Sequence, residues 1–89
     1  MARALDIVYA PSFVRRFAKL SPDLQDEVLE KIGLFKHAEN HSRLKVHKLK
    51  GRLANRFSFS VNYQVRIIFR YQGKSTAELI TVGGHEIYQ

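Results

Sequence analysis

Cysteine and tryptophan are absent from this 89-residue chain, methionine occurs once and proline twice. The missing thiols exclude disulfides, thiolate nucleophiles and cysteine-ligated zinc, and they fit a reducing cytoplasm. No apolar run approaches the roughly 20 residues of a membrane-spanning helix. The opening MARALDIVYA lacks the apolar centre of a signal peptide, so the sequence reads as soluble and cytoplasmic. A phosphate-binding glycine loop is missing too, because Gly83-Gly84 alone is too short to form one. No serine stands in the strand–turn–helix context of a nucleophile elbow. Of the four histidines, His37 and His41 fall where a helix is ending, and the glutamate after His85 lacks the second histidine of a zinc helix. No metal site is expected.

One further absence is informative about partners. Residues 40–77 contain no aspartate or glutamate, yet carry Arg43, Lys45, Lys48, Lys50, Arg52, Arg56, Arg66, Arg70 and Lys74. Residues 1–39 balance six basic against six acidic side chains, so the net charge of +7 is confined to the C-terminal half. Such segregation suits a polyanion or an acidic protein partner rather than a merely soluble surface. With 45% hydrophobic and 26% charged residues the composition is ordinary for a globular protein, and one domain spanning 1–89 is expected.

Periodicity sets out the elements. ALDIVYA (4–10) alternates Leu5, Ile7 and Tyr9 on one face and reads as a strand. Pro11 suits the first turn of a helix, Ser12 is a candidate cap, and Phe13, Phe17 and Leu20 share one helical face. Ser21-Pro22-Asp23 stops that helix and starts another, whose stripe is Leu24, Val28, Ile32 and Phe35. Glu27 and Lys31 are spaced for an outward ion pair. After a polar loop over 36–42, RLKVHKLKG (43–51) allows a short extended segment closed by Gly51. NRFSFSV (55–61) has period two, with Phe57, Phe59 and Val61 inward and Arg56, Ser58 and Ser60 outward. NYQ (62–64) is a turn, VRIIFRY (65–71) has the composition of a central strand, and TAELITV (76–82) is the last strand. The predicted fold is a two-layer α+β domain of order β-α-α-β-β-β, with a helix hairpin packed on an antiparallel sheet. The uncovered face would be a curved basic platform carrying Arg56, Ser58, Ser60, Arg66 and Arg70.

Two places combine chemistry-bearing residues. His47 lies inside the basic run VHKLKG, and Arg66 opens a central strand whose neighbour ends in GGHEIY, with His85 and Tyr88. Each has an ordinary explanation: a solvated loop histidine, an exposed ion-pairing arginine, a terminal packing anchor. Together, a guanidinium, an imidazole and a phenol at one end of a basic sheet are the groups that phosphate chemistry on RNA requires. They would serve as a charge for the non-bridging oxygens, a base for the 2′-hydroxyl and an acid for the leaving oxygen.

Almost the whole chain resembles the RelE/ParE superfamily of bacterial toxin–antitoxin toxins. The resemblance runs from the opening strand and PSFVRRFAKL, through HKLKG and VRIIFRY, to ITVGGHEIY, and its ending is most similar to the RelE and YafQ-like ribonuclease branches. It implies a RelE-like fold and a small basic endoribonuclease that binds the ribosomal A site and cuts translated mRNA. The implied reaction is attack of a 2′-hydroxyl on the adjacent phosphate, leaving a 2′,3′-cyclic phosphate and a 5′-hydroxyl, with no metal or cofactor. It also implies a cognate acidic antitoxin that wraps the toxin, and no membrane partner. By position, Arg66 matches the phosphate-stabilising arginine, His85 the histidine of the glycine-x-histidine ending, Tyr88 the terminal aromatic and His47 the histidine before the LxG motif. Arg43, Lys45, Lys48, Lys50, Arg52, Arg56 and Arg70 have the character of RNA phosphate contacts. Serines occupy the strand positions where the best-known RelE branch has lysines, and which of His47 and His85 is base or acid is left open. Two alternatives share this fold: a ParE-like toxin that inhibits DNA gyrase, and a catalytically weak basic RNA-binding member.

Overall fold

Two prolines mark where the helices begin. Pro11 opens α1 (Pro11–Ala18) and Pro22 opens α2 (Pro22–Phe35), each at a position whose N–H would have no intrahelical acceptor. Ser21 caps α2 as expected, accepting from the Leu24 N–H at 3.3 Å, with Asp23 in the first turn. Ser12 does not cap α1. Ala10 holds that position, and the Ser12 hydroxyl donates to the Ile80 carbonyl instead. The expected Glu27–Lys31 pair is not formed either; Glu27 accepts from the Asn62 side chain at 2.7 Å, tying α2 to a sheet hairpin.

The computed structural model describes residues 4–88. Its strands are β1 (Asp6–Tyr9), β2 (His47–Lys48), β3 (Phe57–Ser60), β4 (Arg66–Gln72) and β5 (Thr76–Gly83). They form one sheet of order β1-β5-β4-β3-β2. β4 is its middle strand, as the composition of VRIIFRY suggests. The meander is antiparallel, while β1 joins parallel to β5, so the sheet is mixed. β2 is an edge strand of two residues, pairing His47 with Ser58 and Lys48 with Phe57.

The two-layer α+β expectation holds, and Phe35 shows why. This last residue of α2 stacks on Phe59 at 4.3 Å between ring centroids and meets Phe69 edge-on at 4.6 Å. Val28, Ile32, Leu44, Val61, Ile67, Leu79 and Val82 close the same core. Burial of large side chains at this density supplies most of the stability of so small a domain, at about 1.5–3 kcal/mol for each. The inward set Phe57, Phe59 and Val61 falls where period two puts it. His41 finishes the helix end: its ring stacks on Phe35 at 4.9 Å, and its Nε2 lies 2.7 Å from the Phe35 carbonyl.

The β4–β5 pairing steps from Ile68–Thr81 to Phe69–Leu79, leaving Ile80 as a bulge. A bulge of this kind twists a strand and re-aims the residues beyond it. Here the Ile80 carbonyl accepts from the Ser12 hydroxyl of α1.

Candidate functional site

Because Phe57 and Phe59 point to the helices, the residues between them point away. On that open face, directly opposed positions form a row across four strands: His47 faces Ser58, Ser58 faces Ile68, and Ile68 faces Thr81. Opposed residues share one face of a sheet. The next row toward the β3–β4 hairpin is Ser60, Arg66 and Gly83. In the other direction Arg70 faces Glu78, and their side chains form a 2.6 Å ion pair. The centre of the open face is therefore neutral, with charge at its margins. This corrects the expectation of a continuous basic platform: Glu78, one strand away, neutralises Arg70, and Ser58 is fully buried.

Ser58 is buried because the chain end returns over it. After β5, residues His85–Tyr88 form a 3₁₀ turn. The Tyr88 phenol lies 2.8 Å from the Ser58 hydroxyl, and the His85 ring meets the Tyr88 ring at 5.8 Å, tilted by 62°. Ile87 is buried beneath the turn.

The turn is held by residues that sequence reading passed over. Arg16 of α1 donates from Nε to the Val82 carbonyl at 2.9 Å and from Nη2 to Glu86 Oε1 at 2.7 Å. The same carboxylate oxygen accepts from the Gly84 N–H at 3.1 Å. Hydrogen bonds from the backbone N–H groups of Glu86 and Gly84, assisted by the Arg16 charge, hold the Glu86 carboxyl below its ordinary range. Gly83 permits this clamp through space and not through an unusual φ. A Cβ there would lie 2.7 Å from Arg16 Nη2, from Glu86 Oε1 and from Ile87 Cγ2. Arg16 and Glu86 are 70 residues apart, and no local pattern announces such a contact.

His47 is exposed on β2, with Nδ1 2.8 Å from the Lys45 carbonyl. A carbonyl can only accept, so Nδ1 carries the proton of this bond and Nε2 of the neutral ring keeps a free lone pair. Lys45 presents that carbonyl from the left-handed region, at φ 59°. Arg66 is half-buried, and its Nη1 donates to the Asn62 carbonyl at 2.6 Å, so the guanidinium sits against its own hairpin. There it shares a cleft with Arg43 and Lys45.

Of the residues singled out from sequence, Tyr88 and His85 are thus joined to Ser58, His47 stands opposite Ser58 in the strand register, and Arg66 lies one row away. Lys48, Lys50 and Arg52 are exposed along the edge strand and the connector after it, where Gly51 adopts φ 70°. Arg56 is half-buried at the foot of β3. Ser58 could have been suspected from its outward position in RFSFSV, but only the folded tail shows what it binds.

No protein-family model and no curated protein sequence matches the chain. Its fold, however, is the one found in solved structures of RelE/ParE-type toxins. The toxin–antitoxin complex RelBE2 from Mycobacterium tuberculosis superposes with a TM-score of 0.77 at 20% identity, covering 92% of this chain and 99% of that one. YafQ from E. coli gives 0.75 at 16% identity, over 94% and 97%. A YoeB/ParE toxin from Agrobacterium tumefaciens gives 0.67 at 19% identity, over 91% and 99%. At these identities the likeness is one of fold.

Proposed function

We propose that this protein is the toxin of a type II toxin–antitoxin pair and acts as a ribosome-dependent mRNA endoribonuclease. The observation that carries the reading is the placement on one open sheet face of His47, opposite Ser58 in the register, and of the His85–Tyr88 turn anchored to Ser58, with Arg66 one row away. The shared fold with RelBE2 and YafQ supports it.

In this reading His47 Nε2 takes the proton of a ribose 2′-hydroxyl. The 2′-oxygen attacks the adjacent phosphorus, and the bond from phosphorus to the 5′-oxygen breaks. That oxygen leaves with a proton from His85, giving a 2′,3′-cyclic phosphate and a 5′-hydroxyl. Arg66 exchanges its bond to the Asn62 carbonyl for the non-bridging oxygens, where charge builds up. Tyr88 holds the turn on the sheet and offers a ring to a base. The acid-free stretch 40–77 supplies phosphate contacts and a counter-surface for an acidic antitoxin, and RelBE2 is a toxin–antitoxin complex.

Mapping mRNA ends in translating and ribosome-free extracts tests the proposal. Cuts within codons that require ribosomes, and that vanish in folded His47→Ala, His85→Ala and Arg66→Ala variants, are the expected result. An RNA whose leaving oxygen is replaced by sulfur needs no acid, so His85→Ala should recover on it while His47→Ala stays inactive. The likeness to a YoeB/ParE toxin keeps one rival, gyrase inhibition. DNA damage with intact mRNA would favour that rival.

A further inference from the structure

The tip of the β3–β4 hairpin carries Tyr63 with 94% of its surface exposed. It is the most exposed large apolar side chain among the described residues, and it sits on a rigid mount. Asn62 Oδ1 accepts from the N–H groups of Gln64 and Val65 at 2.8 and 2.9 Å. The Asn62 amide reaches Glu27 of α2, and its carbonyl receives Arg66. A tyrosine with no packing role, held this firmly, is preorganised to receive something flat at little cost in chain entropy.

Beside it opens a cleft of about 350 Å³ lined by Lys31, Arg43, Lys45 and Arg66 together with Ser60 and Tyr63. These four cations come from α2, the 43–46 segment and the start of β4. The ion pairs among the described residues, Arg16–Glu86 and Arg70–Glu78, involve none of them. Glu27 is the carboxylate nearest in the bonding pattern; it accepts from Asn62 of the cleft wall and forms no ion pair with any of the four. Four clustered cations against one nearby carboxylate oppose folding and lower the cost of binding an anion. Cations alone would suit an acidic protein segment equally well. The exposed ring decides for nucleic acid, because every base offers a π-face for it to stack on.

We propose that this cleft is a second RNA subsite, in which Tyr63 stacks on one base of a single-stranded segment while Lys31, Arg43 and Lys45 hold its phosphates. The subsite rests on the nuclease reading above and deepens it. Lys31 and Tyr63 lie outside the chemistry proposed there, and Arg66 would touch both places, so the subsite would lead the strand toward the open face.

The chain has no tryptophan, which makes Tyr63→Trp a single-tryptophan reporter. Titrated with an unstructured 12-nucleotide RNA, its fluorescence should be quenched. Tyr63→Ala should bind that RNA on the order of ten-fold more weakly. Lys31→Gln, Arg43→Gln and Lys45→Gln should each lower the slope of log affinity against log salt by about 0.7. Unchanged tryptophan emission while anisotropy reports bound RNA, or wild-type affinity in Tyr63→Ala, overturns the subsite. Quenching by polyglutamate and not by RNA also overturns it and assigns the cleft to an acidic protein. Mapping mRNA ends in parallel separates the two claims. Cleavage without quenching leaves the nuclease reading standing alone, and quenching without cleavage leaves an RNA-binding cleft and removes the nuclease.

Discussion

Tyr88, the last described residue, and Ser58, in the middle of β3, join their hydroxyls at 2.8 Å, and through that bond the end of the chain becomes part of the open sheet face. The Ser58 side chain is fully buried, so the bond cannot be exchanged for water without cost. Tyr88→Phe leaves the serine hydroxyl unpaired and should destabilise the protein by about 1–2 kcal/mol. For a domain of this size that lowers Tm by roughly 4–8 °C per kcal/mol. Thermal unfolding of Tyr88→Phe, Ser58→Ala and the double variant should give a coupling energy of about 1 kcal/mol. Additive effects would mean that the two groups do not bond in solution.

Gly83 should tolerate no side chain. In Gly83→Ala the new methyl meets three atoms at 2.7 Å. The ends of Arg16 and Glu86 can swing aside, but the Ile87 methyl belongs to a buried residue and must carry the turn with it. The expected cost is about 1–3 kcal/mol, typical of overpacking. His85 and Tyr88 should be displaced while the far-UV CD spectrum remains. Faster proteolysis at residues 84–88 is the direct measurement.

The clamp on the turn is sensitive to acid. The folded-state pKa of Glu86 is depressed, chiefly by its own N–H and that of Gly84 and then by Arg16. Its contribution is therefore complete above the ordinary glutamate pKa and is lost as pH falls through the folded value. The carboxylate is exposed to solvent, so the effect belongs to the order of the turn and not to global stability. The protection of the Gly84 and Ile87 amides against hydrogen exchange, relative to their intrinsic rates, should fall as the solution is acidified below the usual glutamate range. Glu86→Gln should show the reduced protection already at neutral pH. Because the clamp positions its neighbour His85, Arg16→Gln and Glu86→Gln should lose activity on the order of ten- to a hundred-fold with little change in unfolding.

The parts of the molecule that were legible beforehand are those where one local rule dominates. Phe57, Phe59 and Val61 alternate because β3 buries one face, and Val28, Ile32 and Phe35 recur with the helical period because α2 buries one stripe. Where two segments compete for one group, local rules failed. Ser12 had a helix to cap, but the bulge at Ile80 offered it a carbonyl. Glu27 had Lys31 one turn away, but the buried side of the hairpin offered Asn62. Charges counted along the chain suggested a basic platform, while pairing across strands set Glu78 against Arg70. Close approach at Gly83 and a clamp from α1 carry the chain end over Ser58, and neither is written in the local sequence. Nothing local to PSFVRRFAKL singles out Arg16, and only tertiary structure assigns it a partner.

Removing residues 85–89 separates fold from site. The main core consists of Phe13, Val28, Ile32, Phe35, Leu44, Phe59, Val61, Ile67, Phe69, Ala77, Leu79 and Val82, none of them in the tail. Both helices and all five strands end at or before Gly83. The truncated chain loses the burial of Ile87, about 1.5–3 kcal/mol, together with the bond to Ser58. That is a large share of the stability of a small domain but leaves its core intact. It should keep native far-UV and near-UV CD, unfold cooperatively at a Tm lower by at least about 10 °C, and show no mRNA cleavage. A truncated chain that melts like the wild type would refute the docked turn, and one that still cuts mRNA would remove His85 and Tyr88 from the active site.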